Sequence, residues 1–366
     1  MLLLSKDYIR NNIGNYPVYS SQTENNGELG KISTYDFDGE YLTWTTDGAN
    51  AGAVFYRNGK FSVTNVCGLL KVTTKNVSTK FLYYSLSIEA LKYVNAGMGN
   101  PKLMSNVMAK IEIPLPPLEV QNEIVRILDK FTELTTELTT ELTARRKQYE
   151  YYRDGLFKHD IKSEVDLDVI GNVTKLAGFE FSEYVKYSHV GNIIALRGLN
   201  VKNGKLVLDD VKYIDDSDLN KLGRSKLYEN DIIYTYVGTV GQVGLVDKND
   251  KYYLAPNVAR IRITDENFLP KYVMYFLMTN EFKNNQLGFL SGTSSMKNIT
   301  MSNIRKFKIP VVSIKEQQRI VDILDRFDKL CNDISEGLPA EIEARKKQYE
   351  YYRDKLLNFK KLECDN

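Results

Sequence analysis

ARRKQYEYYRD at residues 144–154 returns as ARKKQYEYYRD at residues 344–354, with ten of eleven positions identical at an offset of 200. Upstream, IVRILDKFTEL (124–134) matches IVDILDRFDKL (320–330) at an offset of 196, as Ile113-Pro114 matches Ile309-Pro310. The copies therefore differ by a four-residue length change between Leu134 and Ala144. Self-similarity on this scale makes the chain a duplicated half, and any fold must repeat with it.

Both copies read as long helices. Ile124, Leu128, Phe131, Leu134, Leu138, Leu142, Tyr149 and Tyr152 fall three, four or seven apart in the first, as do Ile320, Leu324, Phe327, Leu330, Ile334, Leu338, Ile342, Tyr349 and Tyr352 in the second. Such a stripe must be buried, most simply by pairing the two copies as an antiparallel coiled coil. Helices of roughly 40 and 45 residues would be about 60–70 Å long. Residues 135–142 are a tandem tetrapeptide, TTEL-TTEL. Each unit adds one turn and about 6 Å while keeping leucine near the stripe. The second copy holds Gly337-Leu338-Pro339 instead, which predicts a kink or short break.

Between the helices lie two mixed segments, residues 1–112 and 165–308, rich in Gly, Asn and Asp turns and hence in short strands. Each ends in a helical stretch (80–93 and 270–284) and a Gly-Ser-Asn-rich loop. The fold class is thus α+β: two mixed α/β globules, residues 1–112 and 165–308, alternating with spacer helices at 113–158 and 309–360 in a pseudo-two-fold duplication. The globules are unequal, because 100 residues separate Phe157 from Asn257 and only 64 precede Asn65. Nothing before Met1 corresponds to residues 168–181, so the first globule is expected to lack roughly 35 residues of the second.

Bulk composition excludes several classes. The 366 residues are 43% hydrophobic and 26% charged, with no apolar run long enough for a bilayer, and Lys6 and Asp7 directly follow the opening leucines. Three scattered cysteines, Cys67, Cys331 and Cys364, argue for a reducing cytoplasm. Net charge is only +2, while 25 tyrosines suit wet interfaces as well as cores.

Catalytic patterns are missing. There is no P-loop, and the one Pro-Pro, Pro116-Pro117, marks a helix entry. Gly238, Gly241 and Gly244 form GxxGxxG and read as turn or bulge glycines. Asp265, Glu281 and Lys283 only loosely resemble nuclease spacing, and His159 and His189 are too few for a zinc cluster, so no metal site is expected.

The chain resembles the specificity subunits of type I restriction-modification enzymes over nearly its whole length. The resemblance rests on the IPxPPLxxQxxIVxILDxF entry (113–131), its second copy (309–327) and both RKxYxYYRD ends. It implies two target-recognition domains that each read half of a split, asymmetric double-stranded DNA site. The spacer helices would hold those domains apart and dock two adenine-N6 methyltransferase subunits, with motor-nuclease subunits added for restriction. No catalysis and no cofactor would belong to this chain: S-adenosylmethionine, ATP and Mg would serve the partners. TTEL-TTEL resembles the family's device for changing the gap between half-sites.

On that reading the candidate DNA contacts are Ser20, Ser21, Gln22, Asn26 and Lys102 in the first domain, and Arg197, Tyr236, Thr239, Ser294, Ser295 and Lys297 in the second. Docking falls to the apolar spacer positions, and Arg145-Arg146-Lys147 is expected to meet acidic residues or partner subunits. The alternative is a scaffold, or an inactive allele, that has lost DNA reading with a truncated first domain.

Overall fold

The computed structural model describes residues 4–95, 97, 99–158, 163–293, 296–333 and 336–359. The first half runs α1 (Lys6–Asn11), β1 (Ile13–Tyr19), β2 (Glu28–Ile32), β3 (Phe37–Thr45), β4 (Val54–Val63), β5 (Cys67–Leu70), α2 (Thr79–Glu89), α3 (Ser105–Met108) and α4 (Leu118–Leu156). The second globule starts with β6 (Glu164–Asp166), α5 (Leu167–Ile170), β7 (Gly171–Lys175), α6 (Gly178–Tyr184), β8 (Ile194–Leu196), β9 (Val201–Lys202), β10 (Lys205–Leu206) and β11 (Lys212–Tyr213). Next come β12 (Ile232–Thr235), β13 (Val243–Leu245), β14 (Tyr252–Leu254) and β15 (Val258–Ile263). They lead into α7 (Pro270–Leu277), α8 (Asn280–Gln286), the hairpin β16 (Ser291–Thr293) and β17 (Met296–Asn298), α9 (Met301–Arg305) and β18 (Lys308–Pro310). Last are α10 (Ile314–Asn332) and α11 (Leu338–Leu357). None of the described helices is long and apolar enough to cross a membrane.

Two compact units result: residues 1–139 with 341–366, and residues 140–340. In the first, one sheet has the order β2-β1-β4-β3-β5, with β1 parallel to β4 and the other pairs antiparallel. In the second, the strands form β11-β8-β14 and β13-β12-β15-β7, with β8 parallel to β14. Matching hydrogen bonds identify equivalent strands. Thr64 N donates to Tyr19 O as Ala255 N donates to Leu196 O, and Gly52 N to Thr45 O as Gly241 N to Thr235 O. So β1 corresponds to β8, β3 to β12, and the two ends of β4 to β13 and β14. The short strands expected from the turns hold in the second unit and fail in the first, where β3 and β4 run nine and ten residues. Residues 168–181 supply α5, β7 and the start of α6, and β7 lies along β15. No strand lies on the corresponding edge of β5 among the described residues.

The spacers pair within each unit. In the first, Phe131 of α4 stacks on Tyr352 of α11 with centroids 5.4 Å apart, and Ile124 and Leu128 share a cluster with Tyr349 and Leu356. In the second, Tyr152 of α4 stacks on Phe327 of α10 at 5.6 Å, and Tyr149 packs in one core with Ile320 and Leu324. The same Phe–Tyr pair thus forms twice, each copy lending the phenylalanine once, and numbering runs oppositely along each pair. Antiparallel pairing follows. Tyr152 and Tyr352 nevertheless keep 44% and 38% of their surface exposed, so they cap the seam instead of filling it. Leu134, Leu138 and Leu142 are half-buried.

The second spacer is not one helix of 45 residues but two, of 19 and 20. Pro339 sits in the first turn of α11, where its missing N–H costs nothing, so the break falls just before it. By contrast α4 continues for 39 residues through the tetrapeptide. There Thr132, Thr135, Thr136 and Thr139 each donate a hydroxyl to the carbonyl four residues back, at 2.7–3.1 Å. Each threonine is thereby satisfied without leaving the helix.

Each globule is locked to its spacer by a duplicated set of polar contacts. Gln121 is fully buried: its Nε2 donates to Asn76 O and Pro116 O (2.9 and 2.8 Å), and its Oε1 accepts from Ser78 N (2.9 Å). Gln317 repeats this with Asn267 O, Val312 O and Leu269 N (2.8, 3.0 and 2.9 Å). About two turns on, Asp129 accepts from Lys80 Nζ and the Tyr84 hydroxyl (2.5 and 2.7 Å), as Asp325 does from Lys271 and Tyr275 (both 2.7 Å). Burial and then the neighbouring carboxylate push both phenols far up, so each stays protonated and donates.

Replacing either glutamine by alanine takes the partner from two carbonyls and one N–H at a part-buried junction. We expect Gln121→Ala and Gln317→Ala each to destabilise by about 2–4 kcal/mol in urea unfolding. A change below about 0.5 kcal/mol would show the lock to be dispensable.

Candidate nucleic-acid interface

Within the second unit, β12 ends at Thr235, and the chain reverses over residues 236–241 before β13. Gly238 and Gly241 take φ of 80° and 87°, the left-handed region where glycine meets no Cβ clash. They are turn glycines, as expected, whereas Gly244 is a close-approach site where a Cβ would come 2.9 Å from Lys205 O. Buried Thr235 closes the turn, its hydroxyl donating to Thr239 O (2.5 Å) and accepting from Gln242 N (2.9 Å). The hairpin β16–β17 straps it from one side, with Gly238 N donating to Lys297 O (3.0 Å) and Ile299 N to Tyr236 O (2.9 Å).

Two open clefts flank this turn, and Val237 lines both. One, of about 580 Å³, presents Arg197, Lys202, Thr239, Gln242 and Asn257. The other, of about 610 Å³, presents Lys175, Arg224, Tyr236, Asn298 and Arg305, with Glu180 as its acidic member. Glu180 accepts from Ala177 N (2.9 Å) and so serves a helix start. Five cations against one engaged acid give a surface suited to a polyanion. Among the described residues, the first cleft is lined by basic, amide, hydroxyl and apolar side chains without an acid, histidine or cysteine.

Four sequence candidates therefore meet at one place: Arg197, Tyr236, Thr239 and Lys297. Arg197 is held by Asp210 through its carbonyl (2.8 Å) and carboxylate (3.0 Å), while its buried Nε has no partner. Tyr236 lies under Lys175, whose ammonium is 5.7 Å from the ring centre, and burial raises its phenol. Lys297 is exposed. Ser294 and Ser295 lie outside the described residues.

The first unit builds the same device from other residues. After β3 the chain turns through Thr46, Asp47 and Gly48 (φ 95°). Gly48 N donates to Pro101 O (3.0 Å) and Leu103 N to Thr46 O (2.8 Å). Ser20 accepts from the Thr64 hydroxyl (3.0 Å), and Ser21 and Thr46 both donate to Val66 O. Ser20, Ser21 and Lys102 are thus gathered around one turn. Gln22 is not free to join them, since its Nε2 donates to Glu28 O (2.6 Å). Asn26 is exposed, with Asn25, in left-handed backbone (φ 53° and 49°).

Sequence reading missed Lys175, Arg224 and Arg305, which are remote in sequence and converge only through β7, β15 and α9. It also missed Arg57, a 2%-exposed side chain whose guanidinium lies 3.6 Å from the Tyr19 ring centre and bonds Thr43 Oγ1 (2.9 Å). Burial lowers its pKa. Hydrogen-bond equivalence further pairs Ser20 with Arg197, and Lys102 with Asn298 instead of its chemical likeness Lys297.

A family model described as the type I restriction modification DNA specificity domain matches residues 3–145 and 170–344. The type I specificity subunit S.MpnORF507P of Mycoplasma pneumoniae is 36% identical over 367 residues, covering 97% of this chain and 93% of the relative. The type I restriction enzyme MpnII specificity subunit of the same organism is 52% identical over 158 residues, 42% of this chain and 48% of its own. In fold, the chain is similar to the S subunit of the M. genitalium type I restriction-modification system (TM-score 0.55, 15% identity, 95% of this chain and 90% of that one). A second solved chain, from work on assembly and conformational transition of the type I system, aligns at TM-score 0.61 and 12% identity, over 96% of this chain and 93% of its own.

The turn itself is testable. Thr235→Val removes both hydroxyl bonds and should speed amide exchange across residues 236–242 while costing about 1–2 kcal/mol. Unchanged exchange would mean that the strap alone holds the turn.

Proposed function

The chain belongs to the type I restriction modification DNA specificity family, and on that premise we propose that each unit grips one half of a bipartite, asymmetric DNA site. The observation that carries the reading is the glycine turn under its strap, built once per unit and flanked in the second by basic clefts. Lysines and arginines there neutralise phosphates and fix register, and shorter polar side chains on the turn meet base edges. The chain acts as a reader and assembles with catalytic subunits. Two adenine-N6 methyltransferase subunits supply S-adenosylmethionine chemistry, and motor-nuclease subunits supply ATP- and Mg-dependent cleavage.

Duplicated exposure supports two methyltransferase sites. Tyr151 and Tyr351 stand 76% and 61% exposed at the same place in the repeated YEYYRD motif, each edge-on to the next tyrosine. Inward-facing residues are constrained by their own packing, but an identical exposed pair is accounted for by a partner that binds twice. Spacing falls to the tetrapeptide of α4.

Four measurements test this reading. The isolated chain should methylate nothing with S-adenosylmethionine, and methylation should appear on adding the methyltransferase; activity from the chain alone overturns it. Lys202→Ala and Lys297→Ala should each flatten the salt dependence of DNA affinity by about one phosphate contact. In native mass spectrometry, Tyr151→Ala or Tyr351→Ala should leave one methyltransferase bound and the double variant none. Deleting Thr139–Leu142 should shorten the non-specific gap by at most about two base pairs, since one helical turn is ~6 Å. Altered half-sites in the methylome of that strain would count against the ruler.

A further inference from the structure

Resting on that reading, we infer that a cross-strand pair on each turn and strap reads one base pair: Asp47 with Lys102 in the first half-site, and Val237 with Asn298 in the second. Asp47 and Lys102 face each other as an antiparallel bridge, as do Val237 and Asn298. In both, the flanking bonds run from the residue after one member to the residue before the other: Gly48 N to Pro101 O and Leu103 N to Thr46 O, then Gly238 N to Lys297 O and Ile299 N to Tyr236 O. That pattern defines a non-hydrogen-bonded pair, whose side chains leave the same face with Cα atoms about 4.5 Å apart. Leu103 and Ile299, next along each strap, are 0% and 1% exposed, so alternation sends Lys102 and Asn298 away from the core. Lys102 is exposed, and Asp47 and Val237 are half-buried.

The chemistry of the pairs differs while their backbone does not. Among the described residues, Lys102 makes no ion pair with Asp47, so neither charge is spent on the other. A carboxylate on a DNA-facing turn repels phosphate. It gains there by accepting from an exocyclic amine, and cytosine N4 is the donor that the major groove offers beside the guanine O6 and N7 acceptors for lysine. The first pair therefore selects C·G. In the second, an apolar valine suits the thymine methyl, and asparagine matches adenine N6 and N7, so that pair selects A·T. Two half-sites differ because one framework carries two chemistries.

The test transplants the pairs in the full chain, assembled with its methyltransferase, and reads the motif by single-molecule methylome sequencing. Asp47→Val with Lys102→Asn should shift one C·G position of the first half-site to A·T, or relax its preference roughly 10- to 100-fold. The second half-site and the gap should be unchanged. Val237→Asp with Asn298→Lys should act on the second half-site alone. A transplant that methylates with its half-site unmoved, or that moves the other half-site, overturns the inference. Should a transplant fail to assemble, the wild-type complex is assayed on duplexes carrying 7-deazaguanine or N4-methylcytosine at each position of the first half-site. One position must lose at least about fivefold in affinity, and uniform binding overturns the inference. A wild-type complex with no bipartite motif overturns this inference together with the reading beneath it.

Discussion

Each globule must be held at a fixed angle to the spacer helix that carries it, and here that constraint falls on a buried glutamine. Apolar burial between a globule and a helix is strong but non-directional. Gln121 and Gln317 add three directional bonds each, to backbone on both sides of the junction, from side chains with no exposed surface. Asp129 and Asp325 add a second fixed point about two turns later through Lys80–Tyr84 and Lys271–Tyr275. Two anchor points on one helix define both position and rotation.

The duplication shows what evolution of the two halves kept separate. Framework contacts recur with the same atoms: the glutamine lock, the aspartate knot, the Phe–Tyr stack and the strapped turn. Surface chemistry on the turn does not recur, since Asp47 stands where Val237 does and Ser20 where Arg197 does. A framework whose bonds are mostly backbone and buried polar groups tolerates exchange of the side chains that it displays.

The two spacers reach similar ends by different backbones. Threonines that bond back into α4 keep the tetrapeptide helical, so length can be added there a turn at a time. Gly337 and Pro339 end the second copy's continuity, and a helix restarts with proline in its first turn. Each solution leaves the paired aromatic rings, Phe131 with Tyr352 and Tyr152 with Phe327, able to stack.

Sequence alone determined the repeat, the helical stripe, the break near Pro339 and the glycine turn. Each follows from local periodicity or from the backbone needs of single residues, which neighbours in sequence reveal. The glutamine itself stood inside the repeated motif, yet its burial and its partners did not. Only the tertiary structure decided that Lys175, Arg224 and Arg305 share a cleft, that Gln22 is consumed within its own loop, and that Lys102 corresponds to Asn298 and not to Lys297. The Gln22 bond depends on the local path of its loop, and the others on strand register and on which distant segments pair; register shifted by one position exchanges core for surface without altering composition.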